Sequence, residues 1–399
     1  MFSINMKWKI NEDAKKDNIL GIKDKYDNDK NRNKINLIVG AYRNEKGESV
    51  ILDSVLEARK GMKIDNYEYL PIRGNNKFIR SALKLLYGNT LTQKIASIQT
   101  LSGTGACYIA AKFLKKLYFN NNEGIIYLPN KTWSNHYNIV EECGLKYESY
   151  RYYNKKGLDM EGLIRDIEDA ENKSVFLFHV CAHNPTGVDP TRKEWNRISK
   201  VVKEKEHIVL FDCAYQGFAT ANMEEDSYCI RKFMEDDNIF MIAQSFSKNV
   251  GMYSERVGTL SITTSSMKEK NLVEGHLKNI ARAIYSNPPS YGSRIVEKLL
   301  NDNELRNIWL EDCKKMVSRI KESRENLKKK LEDLGSKYDW DFLVKQKGMF
   351  AYFELGEEKV ERLKNEFHIY LAMDGRISIC GISDKNIDYL AKCLHEITK

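Results

Sequence analysis

Residues 239–258, IFMIAQSFSKNVGMYSERVG, decide how the rest of the chain is organised. They begin with an apolar run, Ile239–Ser245, that is typical of a buried strand, and Lys248 follows shortly after its end. A short loop containing a glycine then leads to Arg256 and to a second apolar run. An ordinary surface lysine does not lie at the end of a core strand. We therefore predict that Lys248 is a covalent anchor.

Length and composition indicate a globular protein of two domains. A chain of 399 residues exceeds the size at which one hydrophobic core stops growing, so we expect two unequal domains. The hydrophobic content of 42% argues against disorder over the whole length. The 64 basic and 56 acidic residues are interspersed, and no cluster is dense enough to indicate a nucleic-acid-binding arm. We expect no nucleic-acid partner.

Cysteine usage and the first residues bear on the cellular compartment. Eight cysteines lie in apolar contexts without the paired spacing of a metal site, which indicates buried thiols, a reducing compartment and no metal. No apolar run approaches the ~20 residues that a membrane span needs, so we expect no membrane partner. The start, MFSINMKWKINEDAKKD, turns acidic and lacks arginine. We predict a cytoplasmic location, with a mitochondrial one as the less favoured alternative.

Predicted strands and helices alternate from residue 96 to residue 263. Such alternation predicts βαβ units and a mainly parallel sheet covered by helices on both faces. The predicted strands are 96–100, 124–128, 147–152, 174–180, 208–213, 239–245 and 257–263.

The pattern changes to long amphipathic helices after residue 263. The helix predicted at 304–334 is longer than the ~8–20 residues of an ordinary globular helix, so we expect it to link two domains. Shorter segments near the C-terminus complete a smaller domain. Towards the N-terminus, an apolar run at 35–43 predicts a short strand with Gly40 inside it, where a ligand or another backbone approaches closely.

Polar residues lie at or after the ends of four predicted strands. They are Gly103, Asn184, Asp212 and Lys248, and in α/β proteins ligands bind beyond the carboxyl ends of the strands. The run Ser-Gly-Thr-Gly at 102–105 leads as a tight turn into a helix, whose positive end suits a phosphate. Taken alone, this run is more often a plain helix N-cap.

Lys248 and Asp212 together suit one cofactor. A lysine that condenses with an aldehyde usually holds pyridoxal phosphate, which also needs an acid beside its pyridine nitrogen and a cationic cradle for its phosphate. Asp212 lies in an otherwise apolar strand, where a buried carboxylate requires a cation or a strong donor. A protonated pyridine nitrogen meets that requirement, and a structural arginine or histidine would meet it equally well.

Several motifs occur in an order that one family shares. HNPTG (183–187), DxAY (212–215), SFSK (245–248) and SxRVG (254–258) together resemble the fold-type I, pyridoxal-phosphate-dependent aminotransferases. The runs VGAYR, EYLPI, LSGTGA, CAHNPTGVDPT, YSNPP and GRI are similar to the aspartate aminotransferase branch that animals and enteric bacteria share. The resemblance extends from about Ile35 to the C-terminus.

The resemblance implies a fold, a domain division and an activity. The fold would be a mixed, mostly parallel seven-stranded sheet sandwiched by helices, with a smaller α/β domain. The division would be an N-terminal arm at 1–14, a small domain from 15–45 and 314–399, and a large cofactor-binding domain at 46–313. The activity would be reversible, ping-pong transfer of the amino group from L-aspartate to 2-oxoglutarate, giving oxaloacetate and L-glutamate.

The resemblance also implies roles for residues around the cofactor. Lys248 would bind pyridoxal phosphate covalently and transfer the proton, and Asp212, oriented by His136, would partner the pyridine nitrogen. Asn184 and Tyr215 would donate to the phenolic oxygen. Trp133 would lie against the cofactor ring. The phosphate would be bound by Ser102, Gly103, Thr104, Ser245 and Arg256, joined by Tyr69 of a partner subunit.

Substrate recognition would rest on two arginines. Arg376 resembles the one that holds the α-carboxylate, with Gly40, Asn184 and Trp133 nearby. Arg282 resembles the one that reaches from the other subunit to the side-chain carboxylate of dicarboxylic amino and keto acids. Guanidinium groups suit both roles because they bind carboxylates bidentately and stay charged. The implied assembly is a homodimer with shared active sites.

The sequence departs from the family pattern at two positions and leaves two other functions open. Arg73 adds positive charge near Tyr69, and Asp374 places an acid close to Arg376. An aromatic amino acid aminotransferase of the same branch keeps both arginines and is the first alternative. A non-catalytic protein that retained the fold is the second, and the intact Lys248 and Asp212 argue against it.

Overall fold

The computed structural model describes residues 20–38, 40–64, 66–155 and 157–399. The predicted arm at 1–14 lies outside them. The strands are β1 (Ile35–Asn36), β2 (Ile95–Leu101), β3 (Ile125–Pro129), β4 (Lys146–Tyr150), β5 (Tyr153–Asn154), β6 (Gly157–Leu158), β7 (Val175–His179), β8 (Ile208–Cys213), β9 (Ile239–Ser245), β10 (Val257–Thr263), β11 (Phe350–Tyr352), β12 (Ile369–Tyr370) and β13 (Arg376–Ser378). The helices are α1 (Leu20–Asn28), α2 (Asp53–Lys60), α3 (Asn76–Tyr87), α4 (Ser102–Phe113), α5 (Asn135–Glu142), α6 (Met160–Asp169), α7 (Arg192–Glu204), α8 (Met223–Asp226), α9 (Tyr228–Glu235), α10 (Met267–Ile284), α11 (Tyr291–Asn301), α12 (Asn303–Asp333), α13 (Phe342–Lys345), α14 (Glu357–Asn365) and α15 (Ile387–Thr398).

A seven-stranded sheet in the order β2-β10-β9-β8-β7-β3-β4 forms the centre of the molecule. The four neighbouring pairs from β9 to β4 are parallel, whereas β10 runs antiparallel to both β9 and β2. No α-helix lies in the fully described segment between β9 and β10, which agrees with this reversal, because a parallel neighbour is usually reached through a crossover helix. The predicted mixed, mostly parallel sheet is confirmed.

Helices cover both faces of this sheet. Every residue of β8 is buried, and its side chains alternate between two separate hydrophobic clusters. Val209 and Phe211 belong to one cluster, whereas Ile208 and Leu210 belong to the other. Successive side chains of a strand point to opposite faces, so a strand buried on both sides is apolar throughout. This explains why the central strands appear in the sequence as continuous apolar runs.

Segments from both ends of the chain pair with each other. β1 lies parallel to β12, and β11 lies antiparallel to β13. The 31-residue helix α12 runs between the sheet region and these short strands in sequence. On α12, the Arg324 guanidinium donates to the backbone carbonyls of Leu343 and Gly348. The pairing is compatible with the predicted small domain of 15–45 and 314–399 and large domain of 46–313, and these limits stay a prediction.

Two local predictions differ from the structure. The strand predicted at 35–43 is only the two-residue β1, because the chain then leaves its partner and lines a cavity with Ile38 and Gly40. The tight turn predicted at 102–105 is instead the first turn of α4, which Ser102 enters at a φ of 60°. Among the described residues, no helix combines the length and apolarity that spanning a membrane requires.

Candidate active site

A cavity of about 260 Å³ lies beyond the carboxyl ends of β7, β8 and β9. It collects most of the residues that the sequence singled out. Those lining it are Gly40, Ser102, Gly103, Thr104, Trp133, Asn184, Asp212, Tyr215, Ser245, Lys248, Arg256 and Arg376.

Lys248 lines this cavity, and the charged groups around it shift the pKa of its amine in opposite directions. Its Nζ is 4.9 Å from the centre of the Tyr215 ring. Burial lowers the pKa of the Lys248 amine to about 8; the Asp212 carboxylate opposes the shift, and the guanidinium groups of Arg256 and Arg376 add to it. Near neutral pH the uncharged amine, which a nucleophile requires, is therefore far more abundant than in an ordinary lysine.

The lowered pKa of Lys248 predicts how the cofactor-free protein captures an aldehyde. Only the uncharged amine attacks, so the rate of covalent capture of pyridoxal phosphate should rise with pH around a midpoint near 8 instead of 10.5. Arg376→Gln removes a neighbouring cation and should move the midpoint to higher pH. Stopped-flow absorbance against pH measures both values. A midpoint near 10 in the unmodified protein would contradict the prediction.

Asp212 lies at the end of β8 in a chain of buried polar groups. Its Oδ2 is 3.2 Å from His136 Nε2, and His136 Nδ1 is 2.8 Å from Thr132 Oγ1. The same hydroxyl is 3.1 Å from His179 Nε2. Burial by itself would raise the pKa of Asp212, but the hydrogen bond from His136 and the nearby charges of His136, His179 and Lys248 together outweigh it and hold that pKa below its usual value. Asp212 is thus a stable anion with one face towards the cavity.

Three serine hydroxyls and one arginine meet where α4 begins. Ser102 Oγ is 2.8 Å from both Ser245 Oγ and Ser247 Oγ, and an Arg256 nitrogen donates to Ser247 Oγ at 3.2 Å. The N-cap residue of α4, Leu101, makes no capping hydrogen bond with its side chain. The first N–H groups of this helix and the positive end of its dipole are therefore available to an anion.

Gly258 on β10 permits this close approach. A Cβ there would lie 2.8 Å from the Ser102 backbone and 2.4 Å from the Gln244 carbonyl oxygen. Any larger residue would push the start of α4 away from β9. The glycine that follows Arg256-Val257 therefore keeps the hydroxyl groups of Ser102 and Ser245 together.

Arg376 enters the cavity from β13 and is buried. Its guanidinium donates to the Ile38 carbonyl at 2.8 Å and to Asn184 Oδ1 at 3.4 Å, and it lies 4.3 Å from the centre of the Phe350 ring. The acid that departs from the family pattern, Asp374, accepts a hydrogen bond from the Arg376 backbone N–H. Asp374 thus helps to shape the turn that presents Arg376.

Apart from His136, which lies behind Asp212, two predicted site residues do not line the cavity. Tyr69 is 85% exposed, and Arg282 is also exposed, donating to Ser286 Oγ at 2.7 Å. The two lie on adjoining segments, since the neighbouring Asn287 side chain donates to the Leu70 carbonyl at 2.6 Å. Both residues were assigned to a partner subunit, and their exposure is compatible with that assignment.

The other unusual residue, Arg73, has its charge satisfied within the chain. Its guanidinium donates to the Ser97 carbonyl and hydroxyl and lies 3.1 Å from a Glu274 oxygen on α10. Lys270 also contacts Glu274, at 3.2 Å. Arg73 therefore links the segment after Tyr69 to the helix that carries Arg282.

Sequence reasoning missed three residues that complete the site. Ser247 bridges Ser102 and Arg256, and Thr132 and His179 continue the hydrogen-bonded chain behind His136. Ser247 stood inside the SFSK motif and could have been found there. Thr132 and His179 are distant in sequence and become neighbours because β3 lies beside β7.

The fold and the cavity define a fold-type I transferase, in which a lysine at the end of a strand faces an acid at the end of its neighbour. A family model described as aminotransferase class I and II matches residues 32–394. The chain belongs to the class I and II aminotransferases.

Similar proteins from several organisms span the whole fold. A mitochondrial aspartate aminotransferase of Arabidopsis thaliana is 43% identical, with 100% of this chain and 93% of that protein covered. The mitochondrial aspartate aminotransferase of Dictyostelium discoideum is 44% identical, covering 100% and 95%. The structure of the cytoplasmic aspartate aminotransferase of Saccharomyces cerevisiae has a TM-score of 0.94 at 39% identity, covering 97% of each chain.

The comparisons correct the predicted location. Relatives from Arabidopsis thaliana, Dictyostelium discoideum, Xenopus tropicalis and Gallus gallus are all named mitochondrial enzymes, so the prediction of a cytoplasmic location is wrong. That prediction rested on the acidic, arginine-free start. A targeting signal is read by receptors and contributes nothing to a packed core, so the residues that determine the fold do not report it.

The cavity suits the cofactor of this family, pyridoxal phosphate. The uncapped end of α4, the hydroxyls of Ser102 and Ser245 and the guanidinium of Arg256 provide donors for a phosphate. Asp212 offers a buried anion to a protonated ring nitrogen, and Lys248 offers an amine to an aldehyde. The donor set thus fits both ends of the molecule.

Proposed function

We propose that this chain is an aspartate aminotransferase, which transfers the amino group of L-aspartate to 2-oxoglutarate and forms oxaloacetate and L-glutamate. One observation carries the proposal: Lys248, Asp212 and Arg376 line the same cavity. This arrangement combines an amine nucleophile, an anion that can pair with a protonated pyridine nitrogen, and a guanidinium group that can bind a carboxylate. Full-length similarity to proteins named aspartate aminotransferase supports the choice of substrate.

Pyridoxal phosphate, when bound, supplies an electron sink that makes the substrate Cα–H bond acidic. Lys248 Nζ takes the proton from the substrate Cα and, as an ammonium group, holds it for the return transfer. Its lowered pKa suits it to both halves of this transfer, because a general base works best when its pKa lies near the working pH.

Tyr215 and Arg376 hold the reacting groups in position. Burial raises the pKa of Tyr215 well above its usual value, so its hydroxyl remains protonated and able to donate. Arg376 holds the α-carboxylate, and its hydrogen bonds to Ile38 and Asn184 fix the direction of the guanidinium. Positioning of this kind sets the Cα–H bond of the substrate towards Lys248.

A homodimer is part of the proposal. Among the described residues that line the cavity, the one guanidinium besides Arg376 is that of Arg256, which is assigned to the phosphate, so the side-chain carboxylate has no arginine of its own there. The exposed Arg282 of a partner would supply it, and the partner's Tyr69 would join the phosphate site. A symmetric dimer would then hold two identical shared sites.

Mixing two inactive variants tests the shared sites. Lys248→Ala and Arg282→Asp homodimers should each be nearly inactive towards aspartate. Unfolding and refolding them together should restore about one quarter of the normal activity, because half of randomly paired dimers are mixed and each contains one complete site. Each inactive variant refolded alone measures the background of the method, and a mixture of Lys248→Ala with Arg306→Asp, at an exposed arginine on α12, should keep about one half of the activity because half of its lysines are intact. No recovery in the first mixture would refute the partner role of Arg282.

A donor panel tests the substrate. With two arginines paired to two carboxylates, kcat/KM for L-aspartate should exceed that for L-phenylalanine by about 10²-fold or more. Steady-state kinetics with 2-oxoglutarate as acceptor measures the ratio. Equal or reversed values would favour the alternative, an aromatic amino acid aminotransferase. Structures of such enzymes from Burkholderia pseudomallei and Psychrobacter are also similar, with TM-scores of 0.93 and identities of 34% and 36%.

A further inference from the structure

A thiol lies beside the pair that faces the cofactor ring. Cys107 Sγ, His136 Nε2 and an Asp212 carboxylate oxygen all lie within 4.8 Å of one another, and all three residues are buried. Cys107 belongs to the second turn of α4, two residues after the last glycine of the Ser-Gly-Thr-Gly run. Neither the sequence prediction nor the proposed reaction gives this thiol a role.

The spacing of one pair of these ligand atoms matches a tetrahedral metal site. Zinc binds nitrogen and carboxylate oxygen at about 2.0–2.1 Å, so two such ligands at a tetrahedral angle lie about 3.3 Å apart. The distance from His136 Nε2 to Asp212 Oδ2 is 3.2 Å. One sulfur, one nitrogen and one oxygen form a donor set that suits zinc and excludes magnesium and calcium, which prefer oxygen ligands.

A second set of contacts orients the histidine as metal sites require. His136 Nδ1 is 2.8 Å from Thr132 Oγ1, which directs Nε2 towards Asp212 and leaves it free to act as a lone-pair donor when Nδ1 carries the hydrogen. Thr132 is itself held by His179 at 3.1 Å. The ring orientation therefore exists before any ion binds.

The cavity supplies both an entry path and the open coordination position. Asp212 lines the cavity, whereas Cys107 and His136 lie behind it. An ion would therefore reach the three ligands from the cavity and could take water from it as a fourth ligand. With pyridoxal phosphate in place, the Asp212 carboxylate would be occupied by the ring nitrogen.

We propose that the cofactor-free protein binds one zinc-class divalent ion through Cys107 Sγ, His136 Nε2 and Asp212, and that this ion and the cofactor exclude each other. On binding, the Cys107 thiol releases its proton to solvent, the His136 hydrogen moves from Nε2 to Nδ1, and water ligands of the hydrated ion leave to solvent. The exclusion rests on the proposed function, because it requires Asp212 to be the partner of the ring nitrogen. The metal site itself does not.

Cobalt is the probe, since thiolate ligation to Co²⁺ gives an intense near-ultraviolet band and tetrahedral geometry gives strong visible bands. Titration of the full-length, cofactor-free protein should produce both at one equivalent. All eight cysteines are buried, so no surface thiol can provide the signal. Cys107→Ser should abolish the near-ultraviolet band, and Cys143→Ser, at a buried thiol in the same core cluster, should keep it. A band that survives Cys107→Ser would overturn the proposal.

Two further measurements test the metal site and its exclusion by the cofactor separately. X-ray absorption at the cobalt edge of the unmodified protein should reveal one sulfur neighbour, and its absence would overturn the site whatever the variants do. Protein loaded with pyridoxal phosphate beforehand should give no thiolate band. A thiolate band of equal strength in loaded protein would overturn the exclusion alone, and the donor panel tests the transaminase activity independently.

Discussion

Replacing Lys248 with alanine should lower kcat by about 10⁴-fold or more, because it removes both the nucleophile and the group that moves the proton. The cofactor's phosphate donors do not include this amine, so pyridoxal phosphate should still bind. Its visible absorbance should then resemble that of the free aldehyde and should no longer change with pH. Steady-state kinetics and an absorbance titration measure the two effects.

Chemical rescue distinguishes the loss of an amine from misfolding of Lys248→Ala. Small primary amines added to the variant should restore part of the rate in proportion to their basicity and fit. Lys248→Arg keeps the positive charge but offers no attacking amine at neutral pH, so it should remain inactive. Turnover within about tenfold of the unmodified protein in Lys248→Ala would remove Lys248 from the reaction.

The sequence predicted the central strands well for a physical reason. Strands buried on both faces are mostly apolar, and the predicted limits of β8, β9 and β10 agree with the structure. The polar residues at their ends were therefore easy to see, since each interrupts a run that is otherwise apolar. This is why Asp212 and Lys248 could be identified as candidates before any resemblance was considered.

Contacts that depend on the order of strands in the sheet could not be predicted from the sequence. Thr132 contacts both His136 and His179 only because β3 and β7 are neighbours, which no local pattern records. The pairing of Arg73 with Glu274 likewise joins two distant segments. The sequence identified Arg73 as a departure from the family pattern that adds positive charge near Tyr69, and only its contacts reveal that the charge is paired.

Replacing Asp212 with asparagine should lower kcat by about 10³-fold while leaving the cofactor bound. The amide keeps the size of the carboxylate but removes the buried negative charge that His136 stabilises. The ring nitrogen would then lack an anion to keep it protonated, so the substrate Cα–H bond would lose most of its acidity. The phosphate donors at Ser102 and Arg256 are untouched, so cofactor absorbance should persist.

The split between kcat and KM separates this electrostatic effect from a change of shape. Arg376 still binds the α-carboxylate in Asp212→Asn, so KM for aspartate should change by less than about tenfold while kcat falls. Asp212→Glu restores the charge at a longer reach and should recover part of the rate, which a purely steric role would not predict. Single-turnover absorbance measures the proton transfer directly. If Asp212→Asn and Asp212→Glu lose activity equally, charge is not what Asp212 contributes.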